Sequence, residues 1–228
     1  MKNHIVTALI ATVFGFAGAG IWSVSGLGNG QVREYLVSHP DILPEMAEAY
    51  QQGQAQERLA EVQGAVDEVF PGAVLGNPNG SKVLVKFTDF ACTYCRQSVA
   101  QVDKLIAADP ELKVVIREWP IFQGSESWAR MGLAAAQQGK YQKFYHAMFE
   151  LGPPNEATIA RAAQIAGLDM TAAREYAASE EVTAELSRNT ALAQRLGFTG
   201  TPSWVAEGQV VEGLVPSSRL AEALDIKI

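Results

Sequence analysis

The sequence predicts an α/β fold with parallel strands, and three neighbouring features carry this prediction. Residues 82–87, KVLVKF, and residues 112–117, LKVVIR, have the length and β-branched content of strands. Residues 96–108 lie between them and have a helical composition. A strand, a helix and a second strand this close in sequence form a βαβ unit, whose two strands are parallel. The only two cysteines, Cys92 and Cys95, stand where the first strand gives way to the helix.

The chain begins with an apolar leader. Residues 5–22 carry no charge and follow a short, weakly positive start. Ala17-Gly18-Ala19 is a candidate small-residue cleavage site, so residues 1–24 are predicted to be a signal peptide or an uncleaved membrane anchor. Both would place the rest of the chain outside the cytoplasm, where an oxidising compartment favours redox chemistry for the cysteines.

Residues 25–70 are predicted to be helical. One stretch covers residues 31–38, and a longer one starts at Pro44 and continues to about Val69. The apolar positions follow steps of three and four: Leu43, Met46, Tyr50, Leu59, Val62, Val66 and Val69. So narrow a stripe must pack on its own domain or on another chain, and its place before the globular part favours self-association. We therefore expect a homo-oligomer formed through residues 31–70.

Residues 71–228 complete a globular domain. Residues 125–197 are rich in alanine and predict four or five helices with short breaks. Residues 203–206 and 209–212 predict a final strand pair joined by a turn at Glu207-Gly208, and residues 217–224 predict a closing helix. The net charge of −7, with no long basic patch, argues against nucleic acid as a partner.

The cysteine pair is best explained as a redox-active dithiol. At a loop-to-helix junction, free N–H groups and the helix dipole favour a thiolate on Cys92, which would be the nucleophile. Cys95, one turn further on, would then resolve the mixed disulfide. A zinc site needs four ligands, and the three histidines are scattered, so no metal is expected. An inert disulfide is the remaining alternative, but so short a crosslink would stabilise little. No cofactor other than the Cys92–Cys95 disulfide is expected.

Four stretches of the sequence, one of them containing the cysteine pair, carry a family resemblance. VLVKFTDFACTYC, REWPIFQGSESWAR and GFTGTPSWVAEGQVVEG resemble the DsbA family of oxidoreductases. VREYLVSHPDILPEMAEA, residues 32–49, resembles the amino-terminal segment of the suppressor-of-copper-sensitivity C branch of that family. The resemblance implies a thioredoxin fold with an inserted all-helical subdomain at about residues 123–197. It also implies an amino-terminal region that drives oligomerisation, a periplasmic location, and oxidation, isomerisation or reduction of protein disulfides.

The resemblance also implies how substrates bind. It predicts a cis peptide at Thr201-Pro202, whose alternative is an ordinary trans turn before a strand. The backbone N–H and C=O of Thr201 would then be free to pair with an extended substrate chain. Thr93 and Tyr94, between the cysteines, would complete the substrate contact. The expected partners are cysteine-containing exported proteins and a membrane redox partner.

Two departures from the family pattern affect the expected chemistry. Lys86 stands six residues before Cys92, where the family commonly has a buried acid. Lys86 either tunes the cysteine pKa values or forms an ion pair with Glu118 on the neighbouring strand. Thr93-Tyr94 lacks the histidine that strong oxidants of the family often carry, so a milder oxidant is expected.

Two classes of function remain open from the sequence. The first is a periplasmic protein thiol-disulfide oxidoreductase, acting as an isomerase or as a mild oxidase. The alternative is a non-catalytic module of thioredoxin fold that handles Cu(I) or serves as a chaperone, since soft thiolates bind Cu(I).

Overall fold

The computed structural model describes residue 12 and residues 27–228, so the predicted leader, residues 1–24, lies outside the described residues except for Thr12. Within that described part of the chain, no helix combines the length and the apolar character needed to cross a bilayer. The chain divides into two compact units, Met1–Gln51 and Gln52–Ile228.

Helices form the described part of the first unit. Helix α1 covers Leu27–Ser38, a 3-10 turn covers Pro40–Ile42, and helix α2 begins at Leu43. The residue before a proline disfavours helical geometry, which explains why α1 ends before His39 and Pro40. In the described part of this unit, six large apolar side chains are exposed: Val32, Tyr35, Val37, Leu43, Met46 and Tyr50.

Helix α2 covers Leu43–Asp67, and its second half belongs to the second unit. Leu59, Val62 and Val66 are buried there in one cluster with residues of the sheet. This differs from the predicted use of all of residues 31–70 for self-association. A narrow apolar stripe can be covered by any apolar surface, and here the chain's own sheet covers its second half.

The sheet has five strands in the order β1-β3-β2-β4-β5. Their bounds are β1 Val74–Gly76, β2 Lys82–Thr88, β3 Leu112–Glu118, β4 Ser203–Ala206 and β5 Gln209–Glu212. Strands β2 and β3 are parallel, which confirms the predicted βαβ unit, and the other pairs are antiparallel. The sequence did not predict β1, because three residues are too few to show a period.

Eight further helices complete the described part of the second unit. They are α3 Thr93–Gln97, α4 Val99–Ala108, α5 Glu126–Gln137, α6 Tyr141–Leu151, α7 Glu156–Ala166, α8 Met170–Ala177, α9 Glu180–Leu196 and α10 Ser217–Ala223. Helices α5–α9 are the five helices of the insertion, in agreement with the predicted four or five. The single helix predicted over residues 96–108 is instead two helices that break at Ser98.

The two faces of the sheet bury different cores. Leu84 and Val114 lie in a cluster with residues of α5–α8, whereas Val85 and Val115 lie in a cluster with α2 and α9. This division follows from the alternation of side chains along a strand. Lys86 is two residues after Leu84, so it points to the face that packs against the inserted helices.

Arg117 of β3 fastens the end of α2 to the domain. Its guanidinium donates to the carbonyl oxygens of Ala65, Val66 and Glu68, at the carboxyl end of α2, where helix carbonyls lack partners. It also forms a 3.1 Å ion pair with Glu185 of α9. A buried cation therefore joins three elements that are distant in sequence.

Candidate functional site

The cysteine pair lies where β2 leads into α3. Cys92 is the N-cap residue of α3, and its Sγ accepts a hydrogen bond from the backbone N–H of Cys95 at 3.3 Å. The predicted placement of the pair at a loop-to-helix junction is confirmed. Both cysteines are free thiols; Cys92 is 3% exposed and Cys95 is 0% exposed. Both thiols are therefore buried, and Cys92 is the one that keeps a small solvent contact.

The surroundings separate the pKa values of the two thiols. A hydrogen bond from the Cys95 side chain is the largest cause that lowers the Cys92 pKa to about 6. The Thr201 hydroxyl and the backbone N–H groups of Cys95 and Tyr94 lower it further, against the effect of burial. Burial raises the pKa of Cys95 well above its usual value. At neutral pH the pair therefore holds one thiolate, on Cys92, and one thiol, on Cys95.

Alkylation of the reduced protein should report this asymmetry. The rate constant with iodoacetamide should rise about tenfold per pH unit below the Cys92 pKa and reach a plateau above about pH 6, because only the thiolate reacts. Peptide mapping should find the label on Cys92. A Cys95→Ala variant should move the inflection to higher pH, because it loses the largest stabilising hydrogen bond. An inflection near pH 8.5 in the unaltered protein would show an unactivated thiol.

The loop before β4 lies against Cys92. The Thr201-Pro202 peptide is cis, as the family resemblance implies. The Thr201 carbonyl accepts a hydrogen bond from the Cys92 thiol at 3.1 Å. A thiol can donate this hydrogen bond and a thiolate cannot, so the availability of the carbonyl to a substrate stays a prediction for the thiolate and disulfide forms.

Thr93 and Tyr94 both lie exposed in the first turn of α3, and Tyr94 is 59% exposed. Two more apolar side chains, Ile121 and Phe122, are exposed in the loop after β3. Of these two exposed segments, the sequence predicted only Thr93 and Tyr94 as part of the site.

Asp89 joins these two segments by hydrogen bonds, and the sequence did not single it out. Its carboxylate accepts hydrogen bonds from the backbone N–H groups of Ile121 at 2.8 Å and Phe122 at 3.1 Å. It also accepts from the Ala91 N–H at 2.8 Å, and its own carbonyl accepts from the Cys92 N–H at 3.0 Å. One buried carboxylate thus orients both the active-site turn and the neighbouring loop. The only sequence signal for Asp89 was an acidic residue three positions before the nucleophile Cys92.

The predicted ion pair between Lys86 and Glu118 is wrong. The Lys86 ammonium donates to Ser98 Oγ at 2.8 Å and to Tyr145 Oη at 2.6 Å. Glu118 Oε1 accepts instead from Tyr141 Oη at 2.6 Å. The register explains the difference, because Lys86 lies opposite Ile116 while Glu118 lies opposite Thr88, two residues further along β2. Each charged group meets a different tyrosine of α6.

Burial shapes the ionisation of both groups. Burial raises the pKa of Glu118 well above its usual value, so the neutral carboxylic acid is favoured. Burial also lowers the pKa of Lys86 to about 8, while the two cysteine sulfurs are the largest influences that raise it. The predicted role of Lys86 in tuning the dithiol therefore has a structural basis that does not involve an ion pair.

Family comparisons agree with this geometry. Residues 83–225 match the family model described as DSBA-like thioredoxin domain. Residues 29–57 match the model described as Copper resistance protein ScsC N-terminal domain.

Solved structures show the same similarity. A thioredoxin-like oxidoreductase from Silicibacter pomeroyi DSS-3 is 45% identical, with a TM-score of 0.64 over 67% of this chain and 89% of that chain. A linker-deletion mutant of Proteus mirabilis ScsC is 22% identical, with a TM-score of 0.70 over 86% of this chain and 91% of that chain. The second likeness concerns the fold alone.

A curated relative is longer than this chain. The Na(+)/H(+) antiporter NhaA of Herminiimonas arsenicoxydans is 27% identical over 155 residues, which are 67% of this chain and 25% of the antiporter. The chain thus spans about a quarter of the length of the curated relatives that it matches. Because most of the antiporter is unmatched, the similarity supports no transport activity here.

Proposed function

Because this chain belongs to the family of DSBA-like thioredoxin domains, we propose that it exchanges disulfides with protein substrates through Cys92 and Cys95. The observation that carries this proposal is the geometry of the pair: Cys92 caps α3 and lies against the cis Thr201-Pro202 loop, and Cys95 lies one helical turn further on. In the reducing direction, the Cys92 thiolate attacks a substrate disulfide, forms a mixed disulfide and releases one substrate thiolate. Cys95 then loses its proton and attacks Cys92 Sγ, which closes the Cys92–Cys95 disulfide and frees the second substrate thiolate. Oxidation of a substrate dithiol is the same sequence in reverse.

The Thr201 carbonyl supports a simple means of substrate binding. It accepts a hydrogen bond from Cys92 only while Cys92 carries its proton. When Cys92 is a thiolate or part of a disulfide, the carbonyl can accept instead from the backbone N–H of an extended substrate, as in strand addition. The exposed side chains of Tyr94, Ile121 and Phe122 would contact apolar residues near the substrate cysteine. This surface suits unfolded or partly folded polypeptides.

The thiol pKa supports a mild oxidant or an isomerase. The Cys92 pKa of about 6 lies between two reference values for nucleophilic cysteines of this chemistry. The pKa is about 7 in a weak oxidant and about 3.5 in a strong one. Stabilising the thiolate stabilises the reduced protein, so a lower pKa accompanies a more oxidising pair. The residues Thr93-Tyr94 supply no side-chain cation to lower the pKa further.

The proposed location is the periplasm, and the proposed partners follow from it. The match to the amino-terminal domain of a copper resistance protein supports this location, as does the apolar leader at residues 5–22. Cysteine-containing exported proteins would be the substrates. A membrane redox partner would restore the redox state of the Cys92–Cys95 pair.

The test is catalysis of insulin reduction by dithiothreitol, measured as the onset of turbidity. A catalyst shortens the onset, whereas a binding module leaves it unchanged. The alternative function, a Cu(I)-binding or chaperone module, would be favoured by an unchanged onset. In the part of the chain that the structure describes, no three His, Cys, Asp or Glu residues cluster as metal ligands.

We propose that the chain self-associates through the first unit, because an apolar stripe of helix α2 is exposed there. Leu43, Met46 and Tyr50 follow helical spacing and are exposed in the described chain. Such a stripe on a monomer is costly to leave in water and is typical of a helix that pairs with a second helix. A homo-oligomer would bring several Cys92 sites to one substrate, which suits an isomerase.

Charged substitutions on this stripe should abolish self-association and leave the catalysis of disulfide reduction intact. A Leu43→Glu/Tyr50→Glu variant of the full chain should be monomeric in analytical ultracentrifugation, because two charges would lie at the helix contact. It should also refold scrambled ribonuclease poorly while keeping its activity on insulin. Gln51→Glu is the matched control, since it adds a charge next to the stripe. An unchanged sedimentation coefficient in the double variant would contradict the proposed interface.

A further inference from the structure

Lys86 is buried completely, at 0% exposure, and its position is unusual for a cation. Among the described residues, no ion pair involves Lys86. Its Nζ lies instead 5.3 Å from the ring centre of Tyr145, 5.8 Å from that of Phe149 and 5.2 Å from that of Trp204. Rings at such distances favour the charged form. Burial without a carboxylate partner favours the neutral form.

The groups that face Lys86 leave the cysteines as its main counter-charge. Glu118 of β3 favours the neutral acid and is hydrogen-bonded to Tyr141. Asp103 of α4 is half-exposed and pairs with His146 of α6 at 2.9 Å, so solvent weakens its effect on Lys86. The tyrosines of α6 have pKa values raised by burial and stay neutral. Of these facing groups, only Cys92 changes its charge when the dithiol is oxidised, from a thiolate to a neutral disulfide sulfur.

We propose that Lys86 gains a proton each time the Cys92–Cys95 disulfide is reduced and loses it each time the disulfide forms again. Reduction adds two electrons and two protons. One proton is held by Cys95 Sγ as a thiol and the other by Lys86 Nζ as an ammonium, while Cys92 Sγ becomes a thiolate. The site is neutral before the reaction, with a disulfide and an amine, and neutral after it, with a thiolate and an ammonium. This inference rests on the proposed disulfide exchange.

The hydrogen bonds of Lys86 can serve both forms. Tyr145 Oη accepts from the ammonium in the reduced protein and can donate to the lone pair of the amine in the oxidised protein. Ser98 Oγ donates its own proton to the Cys95 carbonyl at 2.7 Å, so it accepts from Lys86 in either form. No buried polar group therefore has to lose its partner when the proton leaves.

The proton count gives a measurable difference from a simple dithiol. Between the Cys92 pKa of about 6 and the Lys86 pKa of about 8, a dithiol alone would take up one proton on reduction. If Lys86 is an amine in the oxidised protein and an ammonium in the reduced protein, as proposed, the site takes up two. Oxidation of two glutathione thiols releases two protons, so the exchange constant with glutathione should then be independent of pH.

The test is the exchange equilibrium of the full-length protein with glutathione at about pH 6.5, 7.0 and 7.5. In the unaltered protein the constant should change by less than about twofold over this range. In a Lys86→Met variant it should rise about tenfold per pH unit, towards the reduced protein, because one proton is then released per exchange. Lys82→Met is the matched control, since Lys82 lies on the same strand in a partly exposed ion pair with Asp109. The control should match the unaltered protein.

A tenfold rise per pH unit in the unaltered protein would overturn the inference and leave the proposed disulfide exchange intact. An unchanged pH dependence in Lys86→Met would do the same. If the Lys86→Met variant does not fold, the slope of the unaltered protein decides alone. A protein that does not exchange with glutathione at any of these pH values would remove the proposed function and this inference with it. If Lys86 had a purely structural role, the Lys86→Met substitution would leave the number of protons exchanged unchanged.

Discussion

A Cys92→Ser variant should reduce insulin no faster than dithiothreitol does alone. Its hydroxyl does not ionise near neutral pH and cannot form a disulfide, so the first step of exchange is lost completely. The hydrogen bond from the backbone N–H of Cys95 is available to the serine oxygen as well, so the fold of the site should be kept. Turbidity onset, measured with equal amounts of both proteins, gives the result directly.

Cys95→Ala is the informative control for this variant. It keeps the Cys92 nucleophile but lacks the resolving thiol, so mixed disulfides with the substrate should accumulate and turnover should fall. Non-reducing electrophoresis should show these adducts with Cys95→Ala and not with Cys92→Ser. Equal acceleration by Cys92→Ser and the unaltered protein would leave only the binding-module function.

An Arg117→Met variant should lower the free energy of unfolding by about 3–5 kcal/mol, the range for removal of one partner from a buried ion pair. Glu185 would remain buried and lose its 3.1 Å partner. The carbonyl oxygens of Ala65, Val66 and Glu68 would also lose their donor at the end of α2. Urea denaturation of the reduced proteins measures the difference.

Arg195→Met is the matched control for Arg117→Met. Arg195 pairs with Glu61 of α2 at 3.9 Å, and both side chains are largely exposed. An exposed pair of this kind contributes only about 0–1 kcal/mol. If the two variants lose similar amounts of stability, the proposed role of Arg117 in holding the end of α2 is contradicted.

Local sequence patterns predicted most of the elements. The length and the β-branched content of residues 82–87 and 112–117 placed strands β2 and β3, and the spacing of Cys92 and Cys95 placed the dithiol at a helix start. These features depend on contacts within a few residues. The short strand β1 was not predicted, because three residues are too few to show a strand pattern.

The contacts of Lys86 are an example of what local sequence patterns do not predict. The sequence placed it near Glu118, but the register of two strands decided that the side chains do not meet. Its actual partners are Tyr145 of α6 and Ser98 at the break between α3 and α4, and neither belongs to a strand beside β2. The same holds for Asp89, whose partners Ile121 and Phe122 follow a different strand.

Apart from strand β1 and the helix break at Ser98, the sequence by itself determined the order of strands and helices, the position of the cysteine pair and the family. Periodicity, helix caps and residue spacing involve residues that are close together in the chain. They can therefore be recognised from the sequence alone. Only the tertiary structure decided which group receives each buried charge and which half of α2 is covered by the sheet. A buried charge must find its partner among elements brought together by packing, and that choice depends on strand register and helix position.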